Sequence, residues 1–151
     1  GIPSSASFPS VAKGHLKRNK PIPDGYYITV PASIGGLWAT AADLAKFMAD
    51  IQLSLRDGSG RVLSQGTVRL MVTPVTYVTH IPGGQTGLGF TLEKRGSRPF
   101  FGHDGHNLGY ISSMLASLEG GVGLVILTNS ENGWKAINRI KKLVGSRYWG
   151  I

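Results

Sequence analysis

The amino-acid sequence predicts an α+β fold: N-terminal helices, then an antiparallel sheet of three to four strands, then a C-terminal helix packed on that sheet. Apolar residues recur at helical spacing between residues 41 and 54, whereas from about residue 75 they alternate or run continuously, as in strands. The two patterns are segregated along the chain, which favours α+β over alternating α/β. With 151 residues, the chain has the length of one domain.

Three regions follow one another within this single unit. Residues 1–36 are irregular, because prolines and glycines recur there without apolar periodicity, apart from a possible short strand at 26–30. Residues 37–73 are helical, and residues 75–151 contain the sheet and the C-terminal helix.

Two helix starts are marked by capping residues. Thr40 precedes the apolar-periodic residues 41–54, and Asp43 follows it three residues later, as in a capping box. Ser64 caps a shorter second helix, which ends before Pro74.

Four strands are expected in the C-terminal half, at residues 87–93, 99–102, 110–118 and 122–128. Glu119-Gly120-Gly121 is typical of a tight hairpin between the last two. Because 122–128 is a nearly unbroken apolar run, we expect it to lie centrally in the sheet.

The last helix is amphipathic. We expect its apolar face to pack on the sheet and its basic face to meet solvent. The apolar face comprises Trp134, Ile137, Ile140 and Leu143 or Val144; the basic face comprises Lys135, Arg139, Lys141 and Lys142.

Composition excludes several function classes. The formal net charge is +8, but the basic residues are scattered without an arginine-rich arm, so no nucleic-acid partner is predicted. The chain has no cysteine, which rules out disulfides and thiolate metal sites. No apolar stretch approaches the roughly 20 residues of a membrane span, so none is predicted. No motif indicates a cofactor.

The residues from 102 to 110 form the densest cluster of chemically versatile side chains. Gly102-His103-Asp104-Gly105-His106-Asn107-Leu108-Gly109-Tyr110 places two histidines, an aspartate and three glycines between two apolar runs. Glycine lets the backbone adopt positive φ or approach a ligand, and histidine titrates near neutral pH. The pattern indicates a functional site.

Four interpretations of this cluster compete. A zinc site would need a third ligand from His15, His80 or Asp104, none of which stands at a helical i, i+4 spacing, and we therefore predict no metal. A phosphate loop would open a helix, whereas this one opens a strand. The cluster can also be a glycine-rich turn with exposed histidines, or a catalytic strand edge with backbone donors.

Three sequence blocks favour the strand edge by resemblance. The chain resembles the C-terminal part of the serine β-lactamase and penicillin-binding-protein-like family, which includes class C β-lactamases, D-alanyl-D-alanine carboxypeptidases and esterases of the same fold. The blocks, in order, are Gly35-Gly36-Leu37-Trp38-Ala39-Thr40-Ala41-Ala42-Asp43-Leu44-Ala45-Lys46-Phe47, the His-x-Gly-x-x-x-Gly pattern at His103, Gly105 and Gly109, and Gly123-Leu124-Val125-Ile126-Leu127-Thr128-Asn129-Ser130-Glu131-Asn132-Gly133.

The resemblance implies a partial β-lactamase/transpeptidase-like fold in which His103-Asp104-Gly105 stands on an edge strand where other members have Lys-Thr-Gly. It implies catalytic roles for His103, Gly105 and His106, the last through its backbone N–H as an oxyanion donor. Asp104, Asn107 and Gly109 would contact a small amide or ester substrate. Periplasmic or secreted localisation also follows from the resemblance alone.

The family's nucleophile motif, Ser-x-x-Lys, is expected upstream of the matched region. Ser10-Val11-Ala12-Lys13 is a literal match, but Gly14 follows at once, and the polar, proline-rich surroundings do not bury a serine and a lysine together. Residues 12–15 instead resemble an Ala-x-Gly-His segment of the family. Ser130-Glu131-Asn132 imitates a Ser-x-Asn motif but follows the last strand.

Three functional hypotheses remain open. In the first, the chain is the C-terminal part of a serine hydrolase acting on β-lactams, D-amino-acid peptides or small esters, completed by a missing N-terminal part or by self-association. In the second, it is a self-sufficient small hydrolase with Ser10 and Lys13, or Ser112, at its centre. In the third, it is a binding module that retains the fold without the chemistry.

Overall fold

The computed structural model describes residues 11–23, 32–79, 81 and 83–149. Ser10, His80 and the possible strand at 26–30 lie outside the described residues. The mixed α and β architecture with an antiparallel sheet and a C-terminal helix confirms the predicted fold class.

The sheet has six strands, not three to four, and its spatial order is its order in the chain. Every neighbouring pair is antiparallel. Two strands of two residues each were missed, because such short segments cannot show an alternating pattern. The strands are β1 Thr76–Tyr77, β2 Gln85–Thr86, β3 Thr91–Arg95, β4 Arg98–Asn107, β5 Tyr110–Ser117 and β6 Gly123–Thr128.

Both predicted helix caps are present. The Thr40 hydroxyl accepts the Asp43 N–H at 3.1 Å, and the Ser64 hydroxyl accepts the Thr67 N–H at 3.2 Å. These bonds satisfy N–H groups that have no partner within a first helical turn. The helices are α1 Ala32–Gly35, α2 Ala41–Asp57, α3 Gln65–Met71 and α4 Gly133–Val144; α4 continues into a π-helical turn, Gly145–Trp149.

Helices cover both faces of the sheet. On one face, Met48 and Ile51 of α2 and Val68 of α3 pack with Leu92 and Phe101 of the sheet. On the other, Ile137 of α4 is buried, and a second cluster forms where Trp149 meets Phe100 and Leu115. The core is thus divided by the sheet into two layers.

The position predicted for the apolar run at 122–128 was wrong. Strand β6 is the last strand of the sheet formed by the described residues, with β5 as its neighbour. Its side chains are only partly buried, and Leu127 is 39% exposed. The run is apolar because helices pack on both faces of β6, but its outer backbone edge has no strand beside it in the described part of the chain.

The face assigned to α4 was also partly wrong. Gly133 and Ile137 face the sheet and are buried, but Ile140 is 36% exposed and Leu143 is 62% exposed. Lys141, which was assigned to the solvent face, has only 13% of its side chain exposed. One helical turn after Ile137, an acidic partner on the sheet accommodates this lysine where the periodicity alone would place an apolar residue.

Candidate active site

The site predicted at residues 102–110 is the C-terminal half of β4 and the turn that follows it. Strand β5 pairs with β4 along its length, from Phe100 opposite Ser117 to Asn107 opposite Tyr110. Strand β3 pairs with β4 only as far as Gly102, which lies opposite Thr91. From His103 onward, no strand of the described residues pairs with this side of β4, and we call residues 103–107 the open edge.

Hydrogen-bond alternation determines which backbone groups face outward there. The Leu118 N–H donates to the Pro99 carbonyl at 3.0 Å, so Pro99 and every second residue after it bond towards β5. The intervening residues present their backbone groups to the β3 side. Beyond the end of β3, the N–H and C=O groups of Asp104 and His106 therefore face the open edge.

Side chains alternate between the two faces of the same strand. His103 is exposed and lies on the face of β4 that also carries Gly105. A β-carbon at Gly105 would stand 2.5 Å from the Ser112 hydroxyl oxygen on β5. Ser112 is therefore on the same face, directly opposite Gly105, and the glycine leaves that face uncovered.

Asp104 lies on the opposite face. Its carboxylate accepts a hydrogen bond from the Ser113 hydroxyl and stands 3.4 Å from the Lys141 ammonium of α4. The side chain thus joins the sheet to α4, while the backbone of the same residue lies on the open edge. The backbone N–H and C=O of Asp104 are therefore the groups of this residue that face the open edge.

Asn107 closes the far end of the open edge. Its side-chain amide donates to the Gly35 carbonyl at 2.7 Å, which ties α1 to β4. A β-carbon at Gly35 would come within 2.9 Å of this amide. Gly35 of the first sequence block therefore allows this close approach.

Gly109 shapes the turn between β4 and β5. Its φ is +79°, a backbone conformation that side chains other than glycine rarely adopt. The segment before Pro21 packs directly against this turn, since a β-carbon at Gly109 would lie 3.2 Å from Gly14 Cα. The His15 N–H donates to Asn129 O at 2.9 Å, which fastens that segment to the residue after β6.

Glu131 is a site residue that sequence reasoning missed. One oxygen accepts the Gly109 N–H at 2.7 Å, and the other lies 3.0 Å from His106 Nε2. The Gly109 N–H holds the pKa of Glu131 below its ordinary value; burial opposes this shift, and the His106 hydrogen bond adds to it. The sequence assigns no role to Glu131 beyond its place in the third sequence block and in the Ser130-Glu131-Asn132 triplet, which imitates a Ser-x-Asn motif.

Residues 11–16 form a wall beside the hairpin. The Tyr110 hydroxyl donates to the Ala12 carbonyl at 2.9 Å, and partial burial raises the pKa of this tyrosine. The Trp38 and Tyr110 rings meet edge to face with centroids 5.2 Å apart. Lys13 is exposed, and its carbonyl accepts the Asn129 side-chain amide at 2.7 Å.

A cleft of about 790 Å³ runs past the start of the open edge. His103 and Asp104 line it from β4, Thr91 from β3, Met114 from β5 and Trp134 from α4. In the described parts of the chain, no group of three or more histidine, cysteine, aspartate or glutamate side chains is arranged to hold a metal ion. None of the described helices is long and apolar enough to cross a lipid bilayer.

Comparison with known families identifies the fold. The family described as Beta-lactamase matches residues 3–144. This chain belongs to the beta-lactamase family. The match covers most of the sequence, including all three blocks that carried the resemblance, and it confirms that assignment.

Two solved structures share this beta-lactamase fold. An octameric penicillin-binding protein homologue from Pyrococcus abyssi is 24% identical, with a TM-score of 0.71; the match covers 94% of this chain and 33% of the homologue. A D-stereospecific amidohydrolase from Streptomyces sp. is also 24% identical, with a TM-score of 0.51, and the match covers 64% of this chain and 28% of that protein. No significant match to a curated protein was found.

The chain therefore spans about one third of the length of the solved structures it matches. At this identity the likeness concerns the fold. The roles of His103, Gly105, His106, Asp104, Asn107 and Gly109, and of the alternative pair Ser10 and Lys13, remain predictions.

Proposed function

We propose that this chain forms one wall of a serine-hydrolase active site, in which the open edge of β4 binds the acyl group of the substrate. The observation that carries this proposal is that β3 pairs with β4 only as far as Gly102. Beyond Gly102, the His106 N–H faces outward from β4, which β5 holds on its other side. A donor fixed in this way is preorganised for the oxyanion that develops during acyl transfer.

Gly105 and His103 complete the wall. Gly105 leaves one face of the strand free of a side chain, so that an acyl group can lie against it. His103 is exposed on this same face, two residues away, where it can donate to or accept from the substrate. Asp104 contributes its outward-facing backbone groups. Asn107, which is bonded to Gly35, fixes the far end of the open edge.

The nucleophile comes from another part of the fold. In the described residues, no hydrogen bond joins a serine hydroxyl to a lysine ammonium. Related structures are about three times longer than this chain, which supports completion by further polypeptide, either in a longer chain or by assembly. The outer edge of β6 and the exposed Ile140 and Leu143 are available to pack against it.

Substrates are β-lactams, D-amino-acid peptides or small esters. All three present a carbonyl that passes through an oxyanion, so the same backbone donor serves each. The choice among them depends on residues that surround the remaining walls of the site.

Covalent labelling tests this function. The protein is isolated from its native source with an antibody against this chain, assayed with nitrocefin, p-nitrophenyl acetate and a D-alanyl-D-alanine peptide, and labelled with a fluorescent penicillin and a fluorophosphonate. We expect turnover of at least one substrate and a label on a serine of a Ser-x-x-Lys motif that lies outside the 151 residues of this chain. Absence of both turnover and label would show a module without the chemistry.

The labelled residue also tests the self-sufficient alternative. Ser112 is the serine placed best for it, since it stands opposite Gly105 on the face that carries His103. A label on Ser112 or Ser10, lost in the alanine variant, would replace the proposal with a small hydrolase that needs no further polypeptide.

A further inference from the structure

The two-residue turn between β4 and β5 has an unfavourable geometry for a hairpin. Leu108 and Gly109 connect Asn107 to its partner Tyr110. Only Gly109 has a positive φ, whereas the turns that suit the twist of a hairpin have positive φ at the first residue or at both. A turn of this kind tends to splay the strands, so the end of β4 needs a restraint from outside the hairpin.

Glu131 supplies that restraint from the segment after β6. Its carboxylate bridges the two sides of the turn, since one oxygen accepts the Gly109 N–H and the other accepts from His106 Nε2. Charge-assisted hydrogen bonds of this kind are roughly twice as strong as neutral ones. A single side chain therefore ties the end of β4 to the turn that leads into β5.

The Glu131 side chain with its bonds to Gly109 and His106, which we call the clamp, is firmly anchored. The Glu131 N–H donates to the His15 carbonyl at 2.9 Å, and only 12% of the Glu131 side chain is exposed. Ser130 forms a parallel bridge with His15, and α4 begins two residues after Glu131. The backbone of Glu131 is thus fixed by His15 on one side and by the start of α4 on the other. The His106 ring that the carboxylate holds is, by contrast, 56% exposed.

We propose that Glu131 is a positioning residue for the active site: by holding the His106 ring and the Gly109 N–H together, it sets the direction of the His106 backbone N–H on the open edge. This inference rests on the proposed function, because that N–H is the oxyanion donor there. Glu131 acts on the opposite face of β4 from Gly105, so it positions the donor without contacting the substrate.

Charged groups of three segments surround the clamp. Lys17, which directly follows the wall of residues 11–16, acts on the Glu131 carboxylate and lines, with Arg18 and Lys20, a shallow depression beside Glu131. On β4, Asp104 is engaged by Lys141 of α4 and does not compete for the His106 ring. The negative charge of Glu131 is therefore balanced locally and stays in place near neutral pH.

The clamp is tested on the native assembly by hydrogen exchange, independently of activity. In Glu131→Ala we expect amide exchange at Asn107, whose N–H bonds towards β5, and at Gly109 to accelerate at least about tenfold, while exchange in β6 stays unchanged. Glu131→Gln keeps an acceptor for Gly109 and should restore most of the protection at that amide. Asn132→Ala, next in sequence and exposed, is the matched control and should change neither amide. Unchanged exchange in Glu131→Ala would overturn the clamp.

The link to catalysis is tested by steady-state kinetics on the same variants. We expect Glu131→Ala to lower kcat roughly tenfold to a hundredfold with KM within about twofold, since a displaced donor is lost mainly from the transition state. Accelerated exchange with kcat unchanged would overturn the positioning role alone. An inactive wild-type assembly would overturn the proposed function, and hydrogen exchange would still decide whether Glu131 holds the turn.

Discussion

The Lys141 ammonium of α4 lies 3.4 Å from the Asp104 carboxylate, on the face of β4 opposite His103. Two adjacent residues of one strand thus serve different ends: His103 faces the candidate site, and Asp104 attaches the strand to a helix. Alternation along the strand imposes this division, because neighbouring side chains point to opposite faces.

Replacing Lys141 should weaken the attachment of α4 without affecting the opposite face. In Lys141→Ala we expect a loss of about 1–2 kcal/mol in unfolding free energy, mostly from the packing of the buried lysine stem, because Asp104 is 46% exposed and solvent screens the ion pair. Lys142→Ala, next in sequence and exposed, should stay within about 0.5 kcal/mol of the wild type. Urea denaturation measures both, and equal effects would contradict the assignment.

Gly109 and Gly120 form a natural comparison. Both have φ near +80°, so alanine at either position should cost about 1–2 kcal/mol in backbone strain. Only at Gly109 would the added β-carbon also meet backbone atoms of Gly14 and His15, at 3.1–3.2 Å, whereas Gly120 has open space. We expect Gly109→Ala to be the more destabilising substitution by urea denaturation, and equal losses would show that the wall segment yields.

Gln52 joins α2 to the β5–β6 hairpin. Its side-chain amide donates to the Ser117 carbonyl at 2.8 Å and to the Val122 carbonyl at 2.9 Å. Gln52→Met keeps the length of the side chain but removes both donors, and we expect a loss of about 1–3 kcal/mol. Gln65→Met, which removes one longer bond of 3.3 Å to Leu55, should cost less in the same thermal or urea unfolding experiment.

Stability should fall in acid. Ser59 and, more weakly, Arg56 lower the pKa of Asp57 to about 2 in the folded chain, and the pKa values of Asp43, Asp50 and Glu131 are also lowered. A lowered folded-state pKa means that the unfolded chain takes up protons first, so the contribution is complete above about pH 4–5 and is lost towards pH 2. Urea midpoints between pH 2 and 6 should show this decline, less steep in Asp57→Asn; a flat profile would contradict it.

Local signals explain what the sequence predicted correctly. Thr40 and Ser64 identify helix starts because a cap needs only one side chain and an N–H three residues on. The segregation of helical and strand patterns sufficed for the fold class. The family blocks implied an edge strand at His103, but β4 is an inner strand that pairs with both β3 and β5, and only its residues 103–107 have no strand on the β3 side among the described residues.

Signals that depend on tertiary contacts were invisible. β1 exists through pairing with β2, and β2 through pairing with β1 and β3, not through their own two-residue sequences. From the sequence, Lys141 was expected on the solvent face of α4, because its partner Asp104 is 37 residues away and only the fold places the two side chains together. Glu131 is 22 residues from Gly109 and 25 from His106 in sequence, and only the return of the chain through β5 and β6 brings them together.

The strict chain-order pairing of the six strands also bears on how the molecule reaches its fold. Each strand pairs with the one that comes just before or after it, so every pairing closes a short loop and costs little chain entropy. Topologies built from local pairings fold quickly. We expect the sheet to be among the first parts of the chain to fold, with the open edge of β4 already formed before any distant segment packs against it.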